Sequence, residues 1–218
     1  MTFDDEGKQL LQAYADLRVT DVRDGMDTWR MHGIGSMHPT IRPLWRTRVC
    51  GIARTVRYVP YDGVVPPLAA DEYWAWVAEY YRAICPYPWI DEIEEGDFIV
   101  IDQSGVDCGL MGSQNTLACL QRGARGLVTN GGVRDTDEVI LQHVPFWSAL
   151  ISQSMVQGRL KYDARNIPVA VGGVLVHPGD VVVADGDGII VVPRARAIEV
   201  ARYADAEHRR DMITRRQY

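Results

Sequence analysis

The segment "GLVTNGGVRDTDEVI", Gly126 to Ile140, runs an apolar stretch into two glycines and then presents Arg134, Asp135, Asp137 and Glu138 within five residues. A glycine-permitted turn followed at once by Arg-Asp can aim a cation and a carboxylate at one small space. Arginine stays charged and offers a planar donor fork suited to a carboxylate or enolate oxygen. Aspartate is a hard oxygen ligand for Mg²⁺ or Mn²⁺, which keep several waters and need only one or two protein carboxylates. The plainer alternative is an exposed ion pair, worth about 0 to 1 kcal/mol.

A second group of polar residues opens a helix. "GSQNTLACLQRGA" begins with Gly112, Ser113, Gln114 and Asn115 and continues with the apolar positions Leu117, Leu120 and Ala124. Free backbone N–H groups at a helix start, with the positive end of its dipole, receive a carboxylate well. Beside an Arg and a metal, such a start completes a pocket for a 2-oxo acid.

These features resemble a known family. The spacing Gly109-x3-Ser113-x20-Arg134-Asp135-x2-Glu138, with "TDVRDGMD", "GIARTVRYVP" and "VLVHPGDVVVADGDGIIVVP", is similar to the RraA-like superfamily. That superfamily includes 4-hydroxy-4-methyl-2-oxoglutarate/4-carboxy-4-hydroxy-2-oxoadipate aldolases and regulators of ribonuclease E activity. The resemblance spans nearly the whole chain apart from an aromatic-rich insertion at about 69–91. It implies a layered β/β/α swivelling-domain fold assembled as trimers or hexamers with sites between subunits. It implies Asp135 as direct metal ligand, Arg134 on the keto or enolate oxygen, and the amides of Gln114 and Asn115 on the substrate carboxylate, with Gly112 and Ser113 beside them. Glu207 matches an acidic residue contributed near the metal by a neighbouring subunit. Two positions depart from the family pattern: Ser113 stands where the aldolases carry an acid, and Asn130 where many relatives carry Asp. The first removes a charge that helps hold metal and water, with Asp137 and Glu138 as candidates to replace it.

The implied activity is a metal-dependent carbon–carbon lyase, by retro-aldol cleavage or decarboxylation of a small 2-oxo acid. The alternatives are a related hydratase or lyase, or a non-catalytic regulator of the RraA type. Lysine occurs only at Lys8 and Lys161, neither near the glycine-rich motif. A metal rather than a Schiff base is therefore expected as electron sink.

Other chemistries find little support. "GIGSMH" puts His38 where a dinucleotide fingerprint needs its third glycine, and neither a GxxxxGK[ST] loop nor a GxSxG elbow occurs. Cys50, Cys85, Cys108 and Cys119 have no metal-ligand spacing and read as reduced core thiols, and the five histidines are scattered. A net charge of −6 argues against a broad nucleic-acid surface. An acidic start, and no apolar run of membrane-spanning length, predict a cytoplasmic protein.

The elements that must position the site follow from periodicity. Helices are expected over Lys8 to Leu17, after a capping Thr20, along the stripe Tyr73, Trp76, Val77, Tyr80 and Ile84, and from Arg194 onward. Strands are expected at Val49 to Tyr58, covered on both faces, at "DFIVID" and "GLVTN", and through "IPVAVGGVLVHPGDVVVADGDGIIVVP", broken at its PGD and DGDG turns. The segment between "VPFWSALIS" and Asn166 reads as polar and irregular. The 218 residues read as one α/β domain. The aromatic stripe from Tyr73 to Trp89 is ordinary core material, or else a lid, a subunit contact, or a wall selecting a bulky or aromatic substrate.

Overall fold

The structure is a computed structural model describing residues 4–217. Its centre is β2 (Val49–Pro60), rich in β-branched residues and buried along most of its length, as a strand covered on both faces must be. It pairs in parallel with β3 (Asp97–Asp102) and antiparallel with β10 (Val181–Asp185) and β7 (Leu160–Arg165). Beyond β3 the sheet continues through β5 (Gly126–Val133), β6 (Phe146–Ile151) and the short β1 (Arg42–Pro43), and beyond β10 to β11 (Gly188–Val192). A short β4 (Gly109–Met111) joins β5, and β8 (Val169–Val171) with β9 (Val174–Val176) forms a separate hairpin.

Alternation along β3 shows how the layers form. Phe98 and Val100 pack into one apolar cluster, closed by Val169, Val171, Val174 and Val176 of the hairpin. Ile99 and Ile101 point the other way, into a cluster shared with Tyr80, Trp89, Leu110 and Leu127. A third cluster seats α1 (Asp5–Tyr14), α2 (Val19–Thr28) and α6 (Ala197–Arg215) against Cys50, Ile52, Val181 and Ile190. Hairpin, large sheet and helices are thus stacked as the β/β/α layering requires.

α3 (Tyr73–Ala83) carries the aromatic stripe. Val77 and Tyr80 are buried, Trp76, Tyr81 and Ile84 lean on the same cluster, and Trp74 faces solvent. Tyr73, Trp76 and Tyr80 form a ladder with centroids 5.7 and 5.4 Å apart, a spacing that favours tilted rings. Buried polar tips are satisfied: Tyr80 donates to the Leu160 carbonyl at 2.8 Å, and Trp89 Nε1 donates to the Tyr58 hydroxyl at 2.9 Å. The stripe is core. All four cysteines are free and buried, and burial pushes the Cys108 thiol up to about 11 and Cys119 to about 12, as expected of inert core thiols.

Three local expectations are corrected. Thr20 lies inside α2, whose start is instead closed by the Asp21 side chain, accepting from the Arg18 amide at 2.9 Å, and by Asp185, accepting from the Val19 amide at 2.9 Å. The polar stretch before Asn166 contains β7, stabilised by pairing with β2 rather than by any periodicity of its own. Gly131 and Gly132 are not a turn. They lie within β5, where a Cβ would meet the Gln103 side chain at 2.5 Å and the Cys108 carbonyl oxygen at 2.7 Å, so close approach demands glycine there. The DGDG segment is the β10–β11 hairpin turn, as read. Among the described residues, no helix is long and apolar enough to cross a membrane.

Candidate active site

Two strand-to-helix connections build the site. β4 runs parallel to β5, with Gly109 opposite Gly132, and leads into α4 (Ser113–Gln121). β5 ends at Val133 and leads through Arg134 and Asp135 into α5 (Thr136–Leu141). Because the strands are parallel, both connections emerge at the same end of the sheet, where ligand crevices of open α/β sheets form. The Arg134 amide, donating to the Met111 carbonyl at 3.0 Å, ties the two together.

Glycines make the room. A Cβ at Gly109 would lie 2.6 Å from the Arg134 Cβ and Cγ, so the aliphatic stem of Arg134 rests on bare backbone. A Cβ at Gly112 would lie 2.5 Å from Asp135 Oδ2. Gly112 has an extended backbone (φ −129°), so space and not conformation requires glycine.

The strained residue is Asp135 itself, left-handed at φ 53°, ψ 40°. Aspartate tolerates this region better than most residues, and such strain concentrates at functional sites. From there its carboxylate reaches back to α4: Oδ2 accepts from the Ser113 amide at 3.2 Å and hydroxyl at 3.3 Å, and Oδ1 accepts from Arg134 Nε at 3.3 Å. All three are long, and both side chains remain about a third exposed, at 32% and 35%. The carboxylate is held but not saturated. With glycine at the N-cap, the amides of Gln114 and Asn115 in the first turn have no acceptor within α4.

These groups share one cavity of about 440 Å³, lined by Tyr81, Tyr87, Gly109, Leu110, Gly112, Ser113, Gln114, Asn115, Arg134 and Asp135. The residues singled out between 112 and 135 therefore meet in space. Tyr81 and Tyr87, read only as members of an aromatic stripe, are the additions. Tyr87 donates to the Leu110 carbonyl at 2.8 Å, and burial pushes its phenol well above the ordinary value of 10.0, so the donor stays protonated. Their signal in the sequence was aromatic density, without register.

Other expected participants lie elsewhere within the chain. Asp137 and Glu138 are exposed in the first turn of α5 and outside the cavity lining, so they do not stand in for an acid at 113. Carboxylates there complement the helix dipole instead. Glu207 lies on α6, pairs with Arg210 at 3.0 Å and is not in the lining. Asn130 has a structural explanation: its Nδ2 donates to Asp102 at 2.8 Å and its Oδ1 accepts from the Gln103 amide at 2.7 Å, and aspartate could not do the first.

Among the described residues, no three His, Cys, Asp or Glu side chains gather as a metal cage. A largely hydrated Mg²⁺ or Mn²⁺ asks for less, namely one or two carboxylates open to solvent. The partly exposed and weakly engaged Asp135 carboxylate fits that demand, with the Ser113 hydroxyl adjacent.

The chain is 27% identical over 195 residues to protein DlpA of Legionella pneumophila, a match covering 88% of this chain and 28% of that protein. It is 28% identical over 196 residues to a Halalkalibacterium halodurans protein named "Putative 4-hydroxy-4-methyl-2-oxoglutarate aldolase", covering 85% of this chain and 77% of that one. The matches to two further relatives of that name span only 61% and 58% of their lengths. Among solved structures, Streptomyces coelicolor RraAS2, described as an unusual member of the RNase ES inhibitor RraA protein family, superposes with a TM-score of 0.79 at 26% identity, covering 96% of this chain and 98% of that one. The family model RraA-like (Aldolase/RraA) matches residues 19–191, which include β2 to β10, α4, Arg134 and Asp135, and the chain belongs to that family.

Proposed function

We propose that this protein is a carbon–carbon lyase acting on a small 2-oxo acid. The observation that carries the proposal is the convergence, in one cavity, of the unpartnered α4 amides, the Arg134 fork and the Asp135 carboxylate. The aldolase names of relatives at 28% to 36% identity support the same reading.

The chain's own groups have distinct tasks. The amides of Gln114 and Asn115, at the positive end of α4, take the substrate carboxylate. This places the adjacent 2-oxo group beside Arg134. Cleavage of the C3–C4 bond passes the C4 hydroxyl proton to water in the open cavity and leaves C4 a carbonyl, while the electron pair becomes the enolate of a 2-oxo acid, which then takes a proton at C3. Arg134 stabilises the oxygen on which that charge develops, where a preoriented donor is worth most. Asp135 holds both Arg134 and the start of α4 in register through its hydrogen bonds. A divalent cation held by Asp135 would polarise the 2-oxo group as a Lewis acid. In this reading Glu207 serves the site from a neighbouring copy in a trimer or hexamer.

The test is release of pyruvate from oxaloacetate and a panel of 4-hydroxy-2-oxo acids, with and without Mg²⁺ or Mn²⁺. Arg134→Ala and Asp135→Ala are each expected to lower kcat/KM by about 10²- to 10³-fold. No turnover by the native protein, or unaltered turnover by both variants, removes the proposal. A second reading, a non-catalytic binding protein of the RraA type, is favoured by the neutral Ser113 and by the likeness to RraAS2. It expects no pyruvate under any metal condition.

A further inference from the structure

We infer that the cavity selects 2-oxo acids whose far end is aromatic or otherwise flat and apolar, held by Tyr81 and Tyr87, over those ending in a second carboxylate. This rests on the 2-oxo acid reading of the site and specifies its substrate class.

Charge supplies the first argument. Among the described residues, the only charged side chains in the lining are Asp135 and Arg134, one carboxylate and one cation. A substrate such as 4-hydroxy-4-methyl-2-oxoglutarate brings two carboxylates. The first has the α4 amides, so the second must share the single Arg134 guanidinium with Asp135 and the 2-oxo oxygen. A second carboxylate has no further cation in the lining to pair with and shares the cavity with the Asp135 carboxylate, a like charge, which is unfavourable.

The aromatic part of the lining supplies the second. The single proton of the Tyr87 hydroxyl is spent on the Leu110 carbonyl, so this residue offers a ring and not a donor. That ring is fixed by its neighbours, with centroids 6.0 Å from Tyr58 and 6.4 Å from Trp89. Tyr81 joins it at 6.0 Å with the planes tilted by 36°. Leu110, to which Tyr87 is tied, directly follows Gly109, on which the stem of Arg134 rests. Tyr87 and the stem of Arg134 thus both contact the same short strand, β4. An aromatic pair lining the same cavity as the anion-holding groups gains from stacking with a flat apolar group.

Binding to the 218-residue chain is measured by calorimetry with Mg²⁺ present, using phenylpyruvate and 2-oxoglutarate as non-cleavable probes. Phenylpyruvate is expected to bind about tenfold tighter, and Tyr81→Ala to weaken it about fivefold while leaving 2-oxoglutarate unchanged. Tyr81→Leu, which keeps apolar bulk without a ring, separates loss of stacking from loss of packing and is expected to lie between the two. Turnover is compared in parallel. For 4-hydroxy-2-oxo-4-phenylbutanoate the C3–C4 bond breaks, the C4 hydroxyl loses its proton to give benzaldehyde, and C3 gains one to give pyruvate. For 4-hydroxy-4-methyl-2-oxoglutarate the same step gives two pyruvates. Selective phenylpyruvate binding with no turnover of either compound upholds the aromatic wall and removes the lyase reading. Tighter binding of 2-oxoglutarate, absence of phenylpyruvate binding, or an unchanged ratio in Tyr81→Ala overturns the wall, whatever the turnover.

Discussion

Asp135 receives two hydrogen bonds from Ser113, one from the backbone amide at 3.2 Å and one from the hydroxyl at 3.3 Å. A carboxylate outside α4 thereby closes a helix start whose own N-cap, Gly112, has no side chain to offer. The capping is tertiary, joining the loop after β5 to the loop after β4. The same oxygen is a candidate metal ligand and a neighbour of the substrate amides, so ligand binding and helix closure draw on one group.

Gly112→Ala tests that geometry directly. The new methyl carbon would sit 2.5 Å from Asp135 Oδ2 and 3.2 Å from Arg134 Cγ. The atom displaced is the tip of a partly exposed side chain, so stability should fall by less than about 1 kcal/mol. Misplacing the carboxylate by an ångström should lower kcat/KM by about 10²-fold. Thermal melting and steady-state kinetics on one preparation separate the two effects, and full activity would show that the position of Asp135 is irrelevant.

Ser113→Asp places a second carboxylate beside Asp135. With Oγ now 3.3 Å from Asp135 Oδ2, the new carboxylate would face a like charge at close range. Without metal the variant should melt below the parent. With Mg²⁺ or Mn²⁺ it should recover, binding the ion at least about tenfold more tightly. Calorimetric titration of both proteins decides this, and equal affinities would mean that Ser113 does not border the cation.

The N-terminus of α2 carries a pH-dependent contribution. Asp21 is 2% exposed, accepts from the Arg18 amide and side chain, and lies 2.9 Å from His208 Nδ1. Burial pushes its carboxyl up, but the Arg18 hydrogen bonds outweigh this and hold it below the ordinary value of 3.8. A depressed folded value means stability that is complete above 3.8 and is lost as pH falls through the folded value. Asp21→Asn should cost about 3 kcal/mol at pH 7, toward the low end for a broken buried pair because Arg18 also reaches Asp211 at 2.7 Å. Urea unfolding at several pH values should show the gap to the parent narrowing below 3.8, and a gap independent of pH would rule out the carboxylate as its source.

Local chemistry was sufficient for much of this protein. The alternation of β3, the β-branched run of β2, the PGD and DGDG turns and the apolar stripes of α1 and α3 each encode their element through near-neighbour spacing. That Gly112 to Asn115 and the Arg134-Asp135 pair would share one space was legible from their types, their order and the family resemblance. Only tertiary structure decided the rest. β7 has no pattern of its own and exists because β2 offers it a partner. Gly131 and Gly132 look like a turn, yet they are strand residues kept small by Gln103 and Cys108, which are distant in sequence. Asn130 is explained by an acceptor at Asp102 and a donor at Gln103. That Tyr81 and Tyr87, of seven aromatic residues from Tyr73 to Trp89, line the cavity depends on how α3 and the segment after it dock against β4. Spacing along a chain specifies which face a residue occupies, but not which distant backbone will come to lie against it.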